Sequence, residues 1–304
     1  MNPHGKRIGE LRILVTGASG LLGHKIRAIA QSYGHNVFGT YNVHPITGSG
    51  RKKVDLVDQS AVESVIAETE PDVVINTASL TDVDRCESEF EMALVINGKM
   101  PGALAKACSH SGSLMVQVST DYVFDGERGN YEEGDTPNPI NRYGRSKLEG
   151  ELQVAANSRD YCIARTSALY GWGRNYRHDF ATWMLDKWAR SEEVRAVTDQ
   201  YVSPTLNTNL ARMLLEVAER RITGTIHLSG SSRNSRHEFA IMLARRFNFN
   251  QSLVVAVRSD SIGWVARRPR DSSLNVSKAL QWLNNKPISI QAALEEFHAE
   301  ATWR

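Results

Sequence analysis

The chain has 304 residues, 41% of them hydrophobic and 23% charged, the balance of an ordinary globular protein. Thirty-six basic against 34 acidic residues leave a formal charge of +2 and no long basic stripe, which argues against a nucleic-acid partner. Three cysteines, Cys86, Cys108 and Cys162, stand far apart without C-x-x-C spacing, so neither a metal site nor a disulfide framework is expected.

Residues 1–11 read as a polar extension without the apolar core of a secretory signal. From residue 12 short β-branched runs alternate with helical patterns. Strands are expected at 12–16, 36–40, 54–56, 72–76, 114–119 and 161–165. Helices are expected at 23–32, 60–70, 87–111 and 141–156, with Pro139 in the first turn of the last. Such alternation implies βαβ crossovers and a parallel sheet. After about residue 165 the rhythm changes to helices at 180–190, 207–220, 237–247, 277–283 and 289–299. Strands at 224–230 and 253–257 and a basic loop at 266–275 complete a mixed half. No apolar run approaches the ~20 residues of a membrane span, so a cytoplasmic protein without a membrane partner is expected.

The first strand runs into RILVTGASGLLGHKI, which places Gly17, Gly20 and Gly23 between strand and helix. Glycines there permit a tight turn and let backbone amides approach a pyrophosphate at the helix N-terminus. Gly17, Ser19, Gly20, Leu21, Leu22 and Gly23 are thus candidate cofactor contacts. The expected fold is α/β, a Rossmann-type doubly wound parallel sheet over 12–168 with a smaller, mainly substrate-binding C-terminal lobe over 169–304. Part of that lobe is expected to return to the first domain. The second strand ends GTYNVHP, with no acid before Asp55 to take a ribose 2′-hydroxyl, while Arg51, Lys52 and Lys53 follow. They either meet a 2′-phosphate or form a solvated loop; NADP(H) is preferred, with NAD(H) the alternative.

NRYGRSKLEGEL places Tyr143 and Lys147 four residues apart on one helix face. Such a pair is common as plain structure. It gains meaning from the dinucleotide turn upstream and from the polar strand end Ser119-Thr120-Asp121. Tyrosine exchanges protons poorly near neutral pH, with a reference pKa of about 10, unless a neighbouring cation favours the phenolate. Lys147 is that cation, and Thr120 would orient a substrate carbonyl beside Tyr143.

The chain resembles the extended short-chain dehydrogenase/reductases, and within them the dTDP-4-dehydrorhamnose reductase family. The matching stretches are VTGASGLLG (15–23), INTASLTDVDRCES (75–88), VIN (95–97), STDYVFDG (119–126), YGRSKLEGE (143–151), RTS (165–167), DQYVSPT (199–205) and RRPRDSSLN (267–275). The resemblance implies hydride delivery from NAD(P)H to the C4 ketone of a nucleotide-linked 4-keto-6-deoxy sugar. Tyr143 would be the proton donor, Lys147 its tuner and ribose ligand, Thr120 a ligand of the sugar oxygen and Asp121 a support. It further implies cofactor contacts from Asp55, Leu56, Ala78, Ser79, Thr81 and Asn97, and substrate contacts from Gln200, Tyr201, Thr205 and Arg268. Asn97 and Asp55 could instead cap helices. Arg267, Arg268 and Arg270 suit a diphosphate, or a solvated basic loop.

Related dehydratases carry an Asp-Glu dipeptide at the strand end, where this chain has Asp121-Tyr122, so reduction is expected rather than elimination. Two departures stand out. Ala168 replaces a pocket tryptophan of the family, with Trp172 the nearest substitute. Lys25 replaces a glutamate through which some bacterial members form a magnesium-bridged dimer, so a homodimer without that bridge is expected. Alternative functions are a non-catalytic NADP-binding subunit similar to the methionine adenosyltransferase beta subunit, and a nucleotide-sugar epimerase.

Overall fold

The computed structural model describes residues 10–173 and 179–301; most of the polar extension falls outside them. The first half builds β1 (Arg12–Thr16), α1 (Leu21–Ser32), β2 (Asn36–Tyr41), β3 (Arg51–Lys53), α2 (Gln59–Thr69), β4 (Val73–Asn76), α3 (Val83–Ser88) and α4 (Phe90–Ala93). A π-helical turn, Leu94–Lys99, then leads into α5 (Met100–Ser111), β5 (Leu114–Thr120), α6 (Arg142–Asn157) and β6 (Tyr161–Thr166). The second half holds β7 (Leu169–Tyr170), α7 (Phe180–Ala189), β8 (Val194–Val197), β9 (Tyr201–Val202), β10 (Thr205–Leu206), α8 (Asn207–Glu219) and β11 (Gly224–His227). It ends with β12 (Asn234–Ser235), α9 (Arg236–Arg246), β13 (Val254–Val257), α10 (Ser277–Trp282) and α11 (Ile290–Ala301).

Seven parallel strands form one sheet in the order β11-β6-β5-β4-β1-β2-β3. The winding reverses between β1 and β4, and crevices of such sheets open at the carboxyl ends beside the reversal. Strands β1, β4 and β5 are buried on both faces, as a sheet sandwiched between helices requires. Apolar residues of α1 and α8 share one core with one sheet face, while α2 and α5 cover the other. A separate core gathers Tyr170, Trp188, Phe239 and Phe297 beyond the sheet. At the strand ends Thr16 Oγ1 donates to Asn76 Oδ1 (2.5 Å) and Asn76 Nδ2 to Gln117 Oε1 (2.7 Å), fixing the loops that follow β1 and β4.

Three details correct the sequence reading. The third strand is Arg51–Lys53, not 54–56, because the backbone of β2 pairs with the basic triplet and the chain turns at Leu56 and Val57. The long helix expected at 87–111 is broken at Glu89, whose φ of −116° and ψ of 54° are not helical, and again by the π turn. Pro139 lies before the helix: Asn141 is the cap of α6 and accepts from the Gly144 N–H at 2.8 Å. The short strands β7 to β10 and β12 had no periodicity long enough to read.

Candidate active site

The glycine turn packs against the end of β4. Gly17 has φ +67°, and a Cβ there would lie 2.7 Å from the Ala78 amide nitrogen. A Cβ at Gly23 would lie 2.5 Å from the Gly17 carbonyl oxygen, so that glycine brings helix and turn together. No side chain caps α1 at Gly20 and its first turn holds no acid, leaving the helix N-terminus suited to a phosphate.

Gly17, Ser19, Gly20, Asp55, Leu56, Ala78 and Ser79 line a crevice of about 310 Å³ with Thr40, Tyr41, Asn42 and His44. It adjoins one of about 660 Å³ lined by Ser19, Gly20, Leu21, Leu22, Thr81, Thr120, Asp121, Tyr143 and Lys147. Ser19, Gly20, His44, Thr77 and Ser79 border both, so the two run together. An elongated slot with a phosphate cradle in its floor fits a dinucleotide.

Asn97 does not line the slot. It sits in the π turn, buried, and accepts from Ser79 Oγ and the Leu80 N–H, both at 2.8 Å. Its amide donates to Leu80 O and Ser146 Oγ, both at 3.0 Å. It therefore clamps the loop after β4 onto α6 and caps no helix. Asp55 is not the helix cap either; Asp58 caps α2, and Asp55 accepts from the Val57 N–H at 3.1 Å.

The sheet delivers Thr120 at the end of β5 and α6 delivers Tyr143 and Lys147. The helix can approach because residue 144 is glycine: a Cβ there would stand 2.1 Å from the Tyr122 carbonyl oxygen. Thr120 and Tyr143 line the slot together, and the Thr120 hydroxyl stands near enough to ease ionisation of the phenol. Burial raises the Tyr143 pKa above its ordinary value, the Thr120 contact opposes this, and the charge of Asp121 adds to it. The phenol therefore holds its proton, the state a proton donor needs. Lys147 Nζ donates to the Val118 carbonyl at 2.8 Å. Burial lowers its pKa to about 8, while the charge of Glu151 pulls it up. Tyr122 packs edge-on against Tyr143, with ring centroids 5.9 Å apart at 75°.

The sequence profile described as the RmlD substrate binding domain matches residues 11–303. The chain belongs to this family. It is 38% identical over 268 residues to the probable low-salt glycan biosynthesis reductase Agl14 of Haloferax volcanii, covering 86% of this chain and 89% of that protein. It is 33% identical to the methionine adenosyltransferase 2 subunit beta of Bos taurus, over 98% and 91% of the two chains. The crystal structure of dTDP-4-dehydrorhamnose reductase from Bacillus anthracis in complex with NADP superposes with a TM-score of 0.87 at 32% identity, covering 96% and 99%. The protein is an NAD(P)H-dependent oxidoreductase of the extended short-chain type, with a nicotinamide dinucleotide as its cofactor.

Other residues of this RmlD-family chain lie away from the slot. Gln200 is buried, and its carbonyl accepts from the Arg236 N–H. Thr205 Oγ1 donates to Ser203 O and accepts from the Gly230 N–H. Tyr201 lies under the Arg233 guanidinium at 3.7 Å. Arg268 is held by Asp84 at 3.0 Å and by the Ala266 carbonyl, while Arg267 and Arg270 are exposed. The basic triplet 51–53 is an edge strand, with Lys52 paired to Glu68, and none of the three borders the slot.

Ala168 lines the slot with φ +40°, but Trp172 does not stand beside it. Trp172 stacks on Phe297 at 4.7 Å and donates its indole N–H to the Phe297 carbonyl. Lys25 pairs with Glu300 at 2.9 Å. Sequence reasoning passed over His44, Thr77 and Asp179, which also border the slot. His44 and Thr77 follow β2 and β4, so their place after a parallel strand was the available signal. Asp179 caps α7 from the other half and carried no such signal.

Proposed function

We propose that this protein reduces the C4 ketone of a nucleotide-linked 4-keto-6-deoxy sugar, dTDP-4-dehydrorhamnose to dTDP-rhamnose being the leading candidate. The observation that carries the reading is the meeting of Thr120, Tyr143 and Lys147 in one slot, with tyrosine rather than a carboxylate at position 122. The reduced nicotinamide, when bound, supplies the hydride. Gly17, Gly20 and the first turn of α1 hold the pyrophosphate, and Lys147 holds the ribose. Tyr143 passes its proton to the ketone oxygen as negative charge develops there, and Thr120 orients that oxygen. NADPH is the proposed reductant in preference to NADH, because the end of β2 presents Thr40, Tyr41 and Asn42 and no carboxylate to the slot.

The test is the purified protein with dTDP-4-keto-6-deoxy-L-mannose and NADPH or NADH, followed at the reduced-nicotinamide absorbance. Oxidation that Tyr143→Phe abolishes, with cofactor binding retained, is the expected result. No oxidation with either cofactor across several keto-sugars rules the reading out. The similarity to the methionine adenosyltransferase subunit favours a second reading, a cofactor-binding regulatory subunit. Cofactor binding without turnover, together with capture of a partner enzyme, would support it.

A further inference from the structure

We propose that Asp121 is a positioning residue: its carboxylate holds the Thr120 hydroxyl proton and so sets when Thr120 can donate a hydrogen bond to the Tyr143 oxygen. The inference rests on the reductase reading and deepens it.

Asp121 is buried where it lines the slot and accepts from three hydroxyls. Thr120 Oγ1 donates to Oδ1 at 3.1 Å, and Ser167 Oγ and Ser272 Oγ donate to Oδ2 at 2.7 and 2.5 Å. Ser167 in turn accepts from the Ser203 N–H at 3.1 Å, which leaves its own proton for Asp121. The carboxylate thus ties the end of β5 to the segment after β6, to the loop before β10 and to the 266–275 loop. Ser167 and Ser272 are themselves almost wholly buried, so no water replaces these donors.

Thr120 has one hydroxyl proton and three acceptors that call on it. Its oxygen already accepts from the Tyr122 N–H at 3.2 Å. Its proton goes to Asp121 in the structure, and the substrate ketone oxygen and the Tyr143 oxygen are the two acceptors it can turn to. When the Tyr143 O–H bond breaks and the new O–H bond forms on the reduced carbon's oxygen, the phenolate left behind becomes the stronger acceptor. The Thr120 proton then swings from Asp121 to Tyr143 without leaving its own oxygen. A carboxylate that grips Thr120 hard delays that swing and keeps Tyr143 protonated to higher pH. Other groups around Asp121 and Tyr143 are Cys86 from α3, Tyr122 on the same turn, Lys147 on α6 and Arg236 from α9, while burial pushes the Asp121 carboxyl itself up; among these groups Arg268 acts on Tyr122 only. Cys86, pushed up to about 11 chiefly by burial, stays neutral across the useful range.

The test follows kcat against pH in the full-length protein with saturating NADPH and keto-sugar. Asp121→Asn should move the alkaline midpoint of kcat that lies above the Lys147 step near pH 8 down by about one pH unit, with the cofactor dissociation constant unchanged. Ser272→Ala, which leaves the carboxylate fewer donors to share, should move the midpoint up. Should Asp121→Asn fail to fold, the sign of the Ser272→Ala shift decides alone. Lower kcat with unmoved midpoints in the folded variants means a purely structural role and overturns the proposal. An equal Asp121→Asn shift in a Thr120→Val background means the charge acts directly, and overturns the route through Thr120. Absence of turnover in the wild type overturns the reductase reading and this proposal with it.

Discussion

Replacing Glu151 with glutamine should unsettle both the fold and the site. Glu151 lies on α6 one turn beyond Lys147, and its carboxylate accepts from Arg165 Nε at 3.0 Å and Nη2 at 2.7 Å. Ser119 Oγ adds a third donor at 2.5 Å, and both charged side chains are only 6% exposed. The glutamine amide keeps one acceptor oxygen, turns N–H groups toward donors, and leaves the Arg165 charge buried without a counter-ion. Removing one partner of a buried pair costs roughly 3–5 kcal/mol. For a chain this long that corresponds to about 6–10 °C in Tm, taking roughly 2 °C per kcal/mol. Thermal unfolding at one fixed scan rate measures it. The double variant Glu151→Leu/Arg165→Met, with both charges gone, should recover most of the loss. A Tm for Glu151→Gln within about 2 °C of wild type would refute the reasoning, since that is less than 1 kcal/mol.

Further outcomes follow from the same geometry. Lys147 carries its charge below a pKa of about 8 and loses it above, so cofactor affinity measured by fluorescence titration should weaken as pH rises through that value. In Glu151→Gln, where the supporting negative charge is gone, the weakening should begin at lower pH. Gly17→Ala forces a side chain into a positive φ and to 2.7 Å from the Ala78 backbone. The free turn relaxes to escape the left-handed conformation, which costs about 1–2 kcal/mol, and re-forming it on binding should lower cofactor affinity about five- to thirtyfold by calorimetric titration. Chelation with EDTA should leave turnover unchanged, because the first helix presents Lys25 paired with Glu300 instead of a metal-binding carboxylate; loss of activity that magnesium restores would contradict this.

The sheet and the cradle were legible because their signals are local. β-branched runs, a glycine triplet after a strand and an i,i+4 pair are each contained in a dozen residues. The C-terminal half was less legible because its short strands owe their existence to partners far away: β9 pairs with β12 and β8 with β13. Arginines illustrate the limit well. The sequence shows that RRPRDSSLN is basic, but only the fold shows Arg268 committed to Asp84 and Ser272 committed to Asp121. Trp172 is the same lesson in reverse. Proximity in sequence to Ala168 suggested a shared pocket, whereas the aromatic core around Phe297 had the stronger hold on an indole.

The last strand of the central sheet has a bearing on how the chain matures. β11 lies some sixty residues after β6, its neighbour, and α8 from the same stretch covers the apolar stripe of α1. A nascent chain that has emerged only as far as β6 therefore carries a bare parallel edge and an uncovered helix face. Open edges and exposed apolar faces are what drive self-association before folding is complete. Translation must pass His227 before the cofactor half can close. A fragment cut after residue 168 would retain the glycine turn, Tyr143 and Lys147, yet lack the segment that keeps them apart from other copies.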